Sequence, residues 1–259
     1  MTRVIAVLAG KGGTGKTTSA IALGSALSYF GKDVILVDTN LTTPNVGIHL
    51  GVPVVPINLH HVLQGKNKIK EAVYVHPQGL KIVPASIALA DLIATNPNSL
   101  PKVINQLKKL NSDFILLDGA AGLGREALRA IEAADELLIV TNPEMPAITD
   151  ALKTVALADS YNKEVLGVIL TKTESFNYDM SISNVEAMLE KPVISVIPND
   201  KSVRESLIMK DSVVFTHPNS RPAIAYKKLA ASLIGHPYLE DIEEGKTGLL
   251  SRLIKKLGF

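Results

Sequence analysis

A glycine- and lysine-rich stretch near the amino terminus, "AGKGGTGKTT", has residue types and spacing that suit phosphate chemistry. The spacing of a phosphate-binding loop is met by Gly10, Gly15, Lys16 and Thr17. In such a loop the glycines let backbone N–H groups turn towards phosphate oxygens, and the start of the following helix adds partial positive charge. We therefore expect a nucleotide-binding loop whose members are Gly10, Lys11, Gly12, Gly13, Thr14, Gly15, Lys16, Thr17 and Thr18.

Four side chains of this loop differ in what they are expected to do. Lys16 should reach the β- and γ-phosphates of a nucleotide, Thr17 should hold Mg²⁺, and Thr18 can cap the phosphates. Lys11 is a second lysine that phosphate binding does not need. Its position alone leaves open whether it is a solvated loop residue or contacts something beyond its own phosphates.

The secondary-structure elements that must position this loop follow one repeating pattern, in which short apolar runs alternate with helical stretches. This pattern predicts an α/β fold, namely a doubly wound, mostly parallel β-sheet flanked by helices. Strands are expected at 3–8, 33–37, 80–84, 114–118, 136–141, 165–171 and 193–197. Helices are expected at 16–31, 58–63, 97–110, 125–134, 148–161, 181–190, 201–209 and 221–234, with Gly31 ending the first.

Composition and charge exclude several classes of protein. The 259 residues carry 27 basic and 25 acidic side chains, a net charge of +2, which is too little to indicate a nucleic-acid partner by itself. The absence of cysteine excludes a disulfide framework and a zinc–thiolate site. The sequence has neither the pattern of a signal peptide nor an apolar run of transmembrane length, so we expect a cytoplasmic protein.

The loop pattern "KGGTGKT", with Lys11 directly after the first glycine, resembles the deviant Walker A loop of the MinD/ParA family of ATPases. The resemblance extends over residues 1 to about 235 and is strongest to archaeal MinD-like cell-division ATPases. It implies a P-loop NTPase fold of the deviant Walker A type, with ATP and Mg²⁺ as cofactors. It also implies a homodimer in the ATP-bound state, in which Lys11 reaches across the interface to the nucleotide of the partner.

Two further segments carry the resemblance to the switch regions of this family. "DVILVDTNLTTPNVG" resembles the first switch, which implies that Asp38 helps to order the magnesium shell and that Asn45 belongs to the switch. "FILLDGAAG" resembles the second switch, with Asp118 at the Walker B position and Gly122 after it. The family usually has proline where this chain has Ala120, so we expect a more mobile loop here. The implied metal ligands are Thr17, Asp38 and Asp118.

Later segments resemble the interface and the base-binding loop of the family. "LLIVTNPEMPAITDALK" contains the Asn-Pro-Glu signature, so the implied dimer and switch residues also include Asn142, Glu144 and Asp150. "VIPNDKSVRES" resembles the loop that closes over adenine. The residues expected beside the base are Thr171, Lys172, Pro198 and Asp200.

At one position with an implied catalytic role, this chain has a different residue type from the family. Asn40 stands where MinD-like ATPases usually carry a second aspartate thought to orient or activate the attacking water. An asparagine oxygen can still accept a hydrogen bond from water, so we expect slow hydrolysis rather than none. The alternative is that Asp38 or a backbone group places the water alone. The expected catalytic set is Lys11, Lys16, Asp38, Asn40 and Asp118.

The end of the chain differs from the rest in composition. We expect an ATPase domain at 1–237, an acidic linker at 238–248 and an amphipathic helix at 249–259, "LLSRLIKKLGF". The apolar residues of this helix are Leu249, Leu250, Leu253, Ile254, Leu257 and Phe259, and the basic ones are Arg252, Lys255 and Lys256. This composition is typical of a helix in a membrane interface, as the resemblance also implies, although packing on its own domain or on a partner is the alternative.

These observations together predict a MinD-like ATPase that attaches reversibly to an anionic membrane surface at the inner face of the cell membrane. Its expected work is the positioning of the division site or of polar structures, with an unidentified protein partner or activator. A ParA-like DNA-segregation ATPase that binds DNA nonspecifically is one alternative, and an ATP-binding scaffold with little turnover is another. The adjacent His60 and His61 have the wrong spacing for two metal ligands on one helix face, so we expect them on a surface helix.

Overall fold

A computed structural model describes residues 1–174 and 180–238 of the chain. Its eight strands are β1 Arg3–Ala9, β2 Val34–Asp38, β3 Tyr74–Val75, β4 Lys81–Val83, β5 Phe114–Ala121, β6 Glu136–Thr141, β7 Glu164–Thr173 and β8 Val193–Pro198. They form one sheet in the order β3-β4-β2-β5-β1-β6-β7-β8, in which β3 and β4 are antiparallel and every other neighbouring pair is parallel. The predicted fold class, a doubly wound and mostly parallel sheet, is confirmed.

Helices cover both faces of this sheet, which explains why its central strands are apolar without alternation. The helices are α1 Lys16–Tyr29, α2 Val46–His49, α3 Leu59–Leu63, α4 Leu89–Ala94, α5 Leu100–Leu107, α6 Arg125–Ala133, α7 Met145–Ser160, α8 Ile182–Leu189, α9 Lys201–Ile208, α10 Val213–Thr216 and α11 Arg221–Leu233. One core cluster joins the sheet to α1, α10 and α11, and the other joins it to α3, α5, α6, α7 and α8.

The structure differs from the sequence-based prediction mainly in its short elements. The edge strand β3 and the helices α2, α4 and α10 have two to six residues, too few to show a hydrophobic period. The helix expected at 97–110 is the α-helix α5 between two 3₁₀ turns. Gly31 ends α1 as predicted, because its φ of +75° suits glycine and its N–H donates to the carbonyl of Ser28.

This topology brings the carboxyl ends of the parallel strands to one edge of the sheet. The order of strands reverses on either side of β1, whose neighbours are β5 and β6. Ligands of open α/β sheets bind at such a switch point, and the glycine-rich loop follows β1 directly. None of the helices at 1–174 and 180–238 combines the length and the hydropathy of a membrane-spanning segment. The predicted amphipathic helix at 249–259 and all of the linker except Tyr238 lie outside the described residues.

Candidate nucleotide-binding site

The loop between β1 and α1 has the backbone conformation that its glycines allow. Gly13 and Gly15 have φ of +78° and +90°, in the region that side chains disfavour, and α1 begins at Lys16. Gly10 is restricted for a different reason. A Cβ atom at this position would lie 2.2 Å from the backbone carbonyl carbon of Asp150, so α7 leaves no room for a side chain.

Three groups expected to bind phosphate and metal meet beneath the loop. The Lys16 Nζ lies 2.6 Å from Oδ1 of Asp118, and the Thr17 hydroxyl donates to Oδ2 of the same carboxylate at 2.7 Å. Asp118 is fully buried, and Lys16 is nearly so. A buried charge needs a partner, so the carboxylate holds the ammonium group of Lys16 at the position where phosphates would be neutralised.

Asp38 is the neighbour of Asp118 across the β2–β5 register. It is fully buried and accepts hydrogen bonds from the backbone N–H groups of Asn40, Asn45 and Val46, at 3.2, 2.9 and 3.0 Å. Burial raises the pKa of Asp38, as does the charge of Asp118, although the backbone N–H groups of Val46 and Asn40 and the charge of Lys16 oppose the rise. A cation beside the two carboxylates would stabilise their charged forms.

The oxygen donors of Thr17, Asp38 and Asp118 fit the preference of Mg²⁺ for hard ligands. The described residues contain no cluster of three or more histidine, aspartate or glutamate side chains that could hold a metal by themselves. In proteins Mg²⁺ usually keeps several waters and is held by one or two carboxylates together with substrate phosphates, and the oxygens of Thr17, Asp38 and Asp118 fit this pattern.

Asn40 lies in the first switch, and its side chain makes hydrogen bonds that close a turn of the backbone. Its Nδ2 donates to the Thr43 carbonyl at 2.6 Å, and its Oδ1 accepts from the Thr43 hydroxyl at 3.1 Å and from the Thr43 N–H at 3.4 Å. Asn45 donates to the same carbonyl at 2.8 Å. The amide of Asn40 therefore organises the switch itself, which leaves little of its hydrogen-bonding capacity for a water molecule.

The second switch is fixed to the loop and to the first switch. Gly122 has a φ of +79° and donates its N–H to the carbonyl of Ala9 at 2.9 Å. Ala120 lines the nucleotide-sized cavity described below. At the start of α6, Glu126 accepts hydrogen bonds from both the N–H and the hydroxyl of Thr42. No motif in the sequence indicates this last contact.

Lys11 and the Asn-Pro-Glu segment meet at the rim of the loop. The Lys11 Nζ lies 3.3 Å from Oε2 of Glu144 in the same chain, in an exposed pair. Asn142 is buried and donates to the carbonyl and hydroxyl oxygens of Thr171 at 3.1 and 2.9 Å. Asp150 accepts from Lys153 at 3.0 Å, and its contribution to the loop is the backbone contact at Gly10.

Three of the side chains expected beside the base are bonded to neighbouring backbone, two of them to the loop and one to the start of α9. The Thr171 hydroxyl bonds to the Thr14 carbonyl, and Lys172 donates to the Gly13 carbonyl at 2.6 Å. Asp200 caps α9 by accepting from the N–H of Ser202 at 2.9 Å, a bond that lowers the pKa of Asp200.

A cavity of about 990 Å³ extends from the loop to α9 and α11. Expected site residues that line it are Lys11, Gly12, Gly13, Thr14, Gly15, Lys16, Thr17, Thr18, Asn40, Asn45, Thr171, Lys172, Pro198 and Asp200. Lining residues that sequence reasoning missed include, among others, Thr42, Arg125 and the eight residues His49, Glu126, Ile197, Asn199, Val203, Arg204, Leu207 and Tyr226. Of these eight, Ile197, Asn199, Val203 and Arg204 belong to the quoted "VIPNDKSVRES" segment, of which only Pro198 and Asp200 were expected beside the base, whereas the other four belong to no motif.

The expectation of a surface position is wrong for His60. This side chain is fully buried, and its Nδ1 accepts the N–H of Ser86 at 3.0 Å because the segment after β4 packs over α3. Burial lowers the pKa of His60. His61 is partly exposed, with its Nε2 3.6 Å from a carboxylate oxygen of Asp91.

Comparisons with known proteins agree with this fold and site. A family model described as an AAA domain matches residues 2–168. An uncharacterized ATP-binding protein of Methanocaldococcus jannaschii is 35% identical over 257 residues, which are 99% of this chain and 97% of that protein. The septum site-determining protein MinD of Buchnera aphidicola is 32% identical, with 98% of this chain and 99% of that protein covered.

A solved structure extends the similarity to three dimensions. The septum site-determining protein MinD complexed with Mg-ADP, from Pyrococcus horikoshii, has a TM-score of 0.86 and 36% identity, and the match covers 90% of this chain and 96% of that chain. Since both the sequence and the fold match over most of their length, the resemblance carried by the loop and switch motifs is confirmed. The chain belongs to the MinD/ParA family of P-loop ATPases.

Proposed function

We propose that this protein binds Mg·ATP in the cavity beside the loop and hydrolyses it slowly. The observation that carries the proposal is the convergence of Lys16 and Thr17 on Asp118 at one end of this cavity. The loop supplies backbone N–H groups and a helix start for phosphates, and the same carboxylate holds the two side chains in place. The Mg-ADP bound to the Pyrococcus relative is a ligand of matching chemistry.

Each residue of this site has a role that its contacts support. The ammonium group of Lys16 would leave Asp118 and pair with the phosphates instead. Thr17, Asp38 and Asp118 would hold Mg²⁺. Bound Mg²⁺ would neutralise charge that develops on the phosphate oxygens during transfer. Asn40 would leave the attacking water poorly oriented, because its carbonyl oxygen already accepts from Thr43. Slow turnover follows from this arrangement.

We further propose that ATP binding produces a face-to-face homodimer through Lys11. The cation of Lys11 lies at the rim of the loop, where it is partly exposed and paired with Glu144. An exposed pair of this kind contributes about 0–1 kcal/mol, so it would break easily in favour of the phosphates of a partner's nucleotide. Such a cation supplied in trans would offset the repulsion between two ATP-loaded faces.

Reversible attachment to the inner face of the cell membrane is the third part of the proposal, and the composition of residues 249–259 supports it. Three basic side chains at an anionic surface contribute about 1 kcal/mol each, and the apolar residues add to this. One such helix binds weakly, whereas two on a dimer bind far more tightly, since the second insertion is intramolecular. ATP would thereby control how long the protein stays on the membrane, which suits spatial positioning of the division site or of polar structures.

Co-sedimentation tests this function against its alternatives. The protein should pellet with anionic liposomes when ATP is present and stay in the supernatant with ADP, and Lys16→Ala should abolish the difference. ATP-dependent binding to duplex DNA instead of liposomes would favour a DNA-segregation ATPase. Absence of ATP turnover with liposomes present would favour a scaffold that only binds the nucleotide.

A further inference from the structure

Glu126 stands out among the charged residues that line the cavity. The cavity-lining carboxylates of the described residues are Glu126 and Asp200, and Asp200 caps α9 at the far end. The other charged lining residues are the basic Lys11, Lys16, Arg125, Lys172 and Arg204. Glu126 is therefore an acidic group on the side of the cavity formed by the two switches, where a nucleotide brings negative charge.

The carboxylate of Glu126 bonds to the opposite switch at two points. Its Oε2 accepts from the Thr42 N–H at 3.3 Å, and its Oε1 accepts from the Thr42 hydroxyl. The residues on either side of Thr42 are held by other means. Leu41 is buried in the core, and Thr43 is bonded to Asn40, which closes the turn from Asn40 to Thr43. Thr42 itself is exposed, and its described hydrogen bonds go to Glu126.

We propose that Glu126 is a positioning residue that holds the first switch through Thr42. The bidentate contact, here called the Thr42–Glu126 clamp, ties the turn from Asn40 to Thr43 to the start of α6. Phosphoryl transfer depends mainly on the positions of groups around the phosphate, so a displaced turn would slow the reaction without weakening nucleotide binding to the same degree. This consequence for hydrolysis rests on the proposed ATPase function, whereas the clamp itself does not.

Hydrogen exchange without nucleotide tests the clamp independently of activity. Glu126→Ala should accelerate exchange of the Thr42 amide about fivefold or more, since local opening controls exchange. The matched control is Glu132→Ala, which removes an exposed carboxylate of the same helix, paired with Arg129 and absent from the cavity. Equal exchange at Thr42 in the two variants would overturn the proposal.

Single-turnover hydrolysis tests whether the clamp positions the reaction. Glu126→Ala should slow hydrolysis about tenfold with Mg·ATP affinity within about twofold, and Glu132→Ala should match the wild type. Glu126→Gln should restore part of the rate, because its amide oxygen can still accept from the Thr42 hydroxyl. If Glu126→Gln kept the Thr42 amide protected but was as slow as Glu126→Ala, direct catalysis would replace positioning as the explanation.

The two readouts separate the failure of this inference from the failure of the proposed function. A wild-type protein that binds but does not hydrolyse ATP would contradict the ATPase proposal, and the exchange experiment would still decide whether the clamp exists. A wild-type protein that hydrolyses ATP no faster than Glu126→Ala would contradict the positioning role while leaving the ATPase proposal intact.

Discussion

Replacing Asn40 by aspartate changes one atom of the side chain but reverses one of its interactions. In the structure, the Asn40 Nδ2 donates to the Thr43 carbonyl at 2.6 Å. An aspartate would place a charged oxygen against that carbonyl, and the Thr43 oxygen would keep only the bond from Asn45. The Thr43 hydroxyl could still donate to the other carboxylate oxygen. The turn must therefore rearrange, and the new carboxylate becomes available to a water molecule.

The expected magnitudes follow from these contacts. Loss of the hydrogen bond from the nearly buried Asn40 to Thr43, with repulsion between oxygens, should lower the free energy of unfolding by about 1–3 kcal/mol without nucleotide. In a chain of this size each kcal/mol shifts Tm by roughly 2–4 °C. The freed carboxylate should raise the single-turnover rate about tenfold or more, as expected for a general base. ATP affinity should change little.

Rapid-quench measurements on Mg·ATP-loaded protein, beside thermal unfolding, provide the assay. Asn40→Ala is the matched control, because it breaks the same bonds to Thr43 without adding a carboxylate. It should be destabilised but no faster than the wild type. An Asn40→Asp variant that binds ATP normally and hydrolyses it at the wild-type rate would refute the view that this asparagine limits the chemical step.

Three further perturbations have outcomes that the structure and sequence define. Lys11→Ala should leave ATP binding measurable but abolish the ATP-dependent dimer, and normal dimerisation by light scattering would rule out a role in trans. Deleting residues 249–259 should leave folding and nucleotide binding intact and remove liposome binding, and Leu253→Glu should do nearly the same. A truncated protein that still pellets with anionic vesicles in ATP would contradict this expectation. Burial holds the pKa of His60 below its value in the unfolded chain. At pH values between these two pKa values the unfolded state therefore binds more protons than the folded state. The free energy of unfolding should consequently fall as the pH drops below about 6.5. His60→Asn keeps an acceptor for Ser86 and should reduce this slope by up to about 1.4 kcal/mol per pH unit, so an unchanged slope in chemical denaturation would show that His60 does not contribute.

The sequence predicts the parts of this protein that depend on local pattern. The loop, the start of α1 and the end of β5 are each defined by a few consecutive residues, so the proximity of Lys16 to Asp118 could be expected from the strand–loop–helix order and the Walker B pattern. Long apolar runs likewise indicated the central strands and the class of the fold.

Contacts between remote segments could not be predicted in this way. Tyr226 hydrogen-bonds to Ser19 at 2.8 Å across 207 positions, and no motif contains either partner. His60 belongs to a five-residue helix, which is too short to show which face is buried, and its burial is decided by the segment around Ser86. Glu126 was missed because a single acidic residue at the start of a helix usually has only a local role.

The close approach of Gly10 to α7 makes the loop and this helix one steric unit. A methyl group at position 10 would lie 2.2 Å from the backbone of Asp150, which a change of rotamer cannot relieve. Gly10→Ala must therefore displace α7 and, with it, Glu144 and the preceding turn. In a genetic selection, second-site revertants of Gly10→Ala should arise in the 142–150 segment, whereas revertants of Gly12→Ala, where a Cβ meets nothing within 4 Å, should show no such bias.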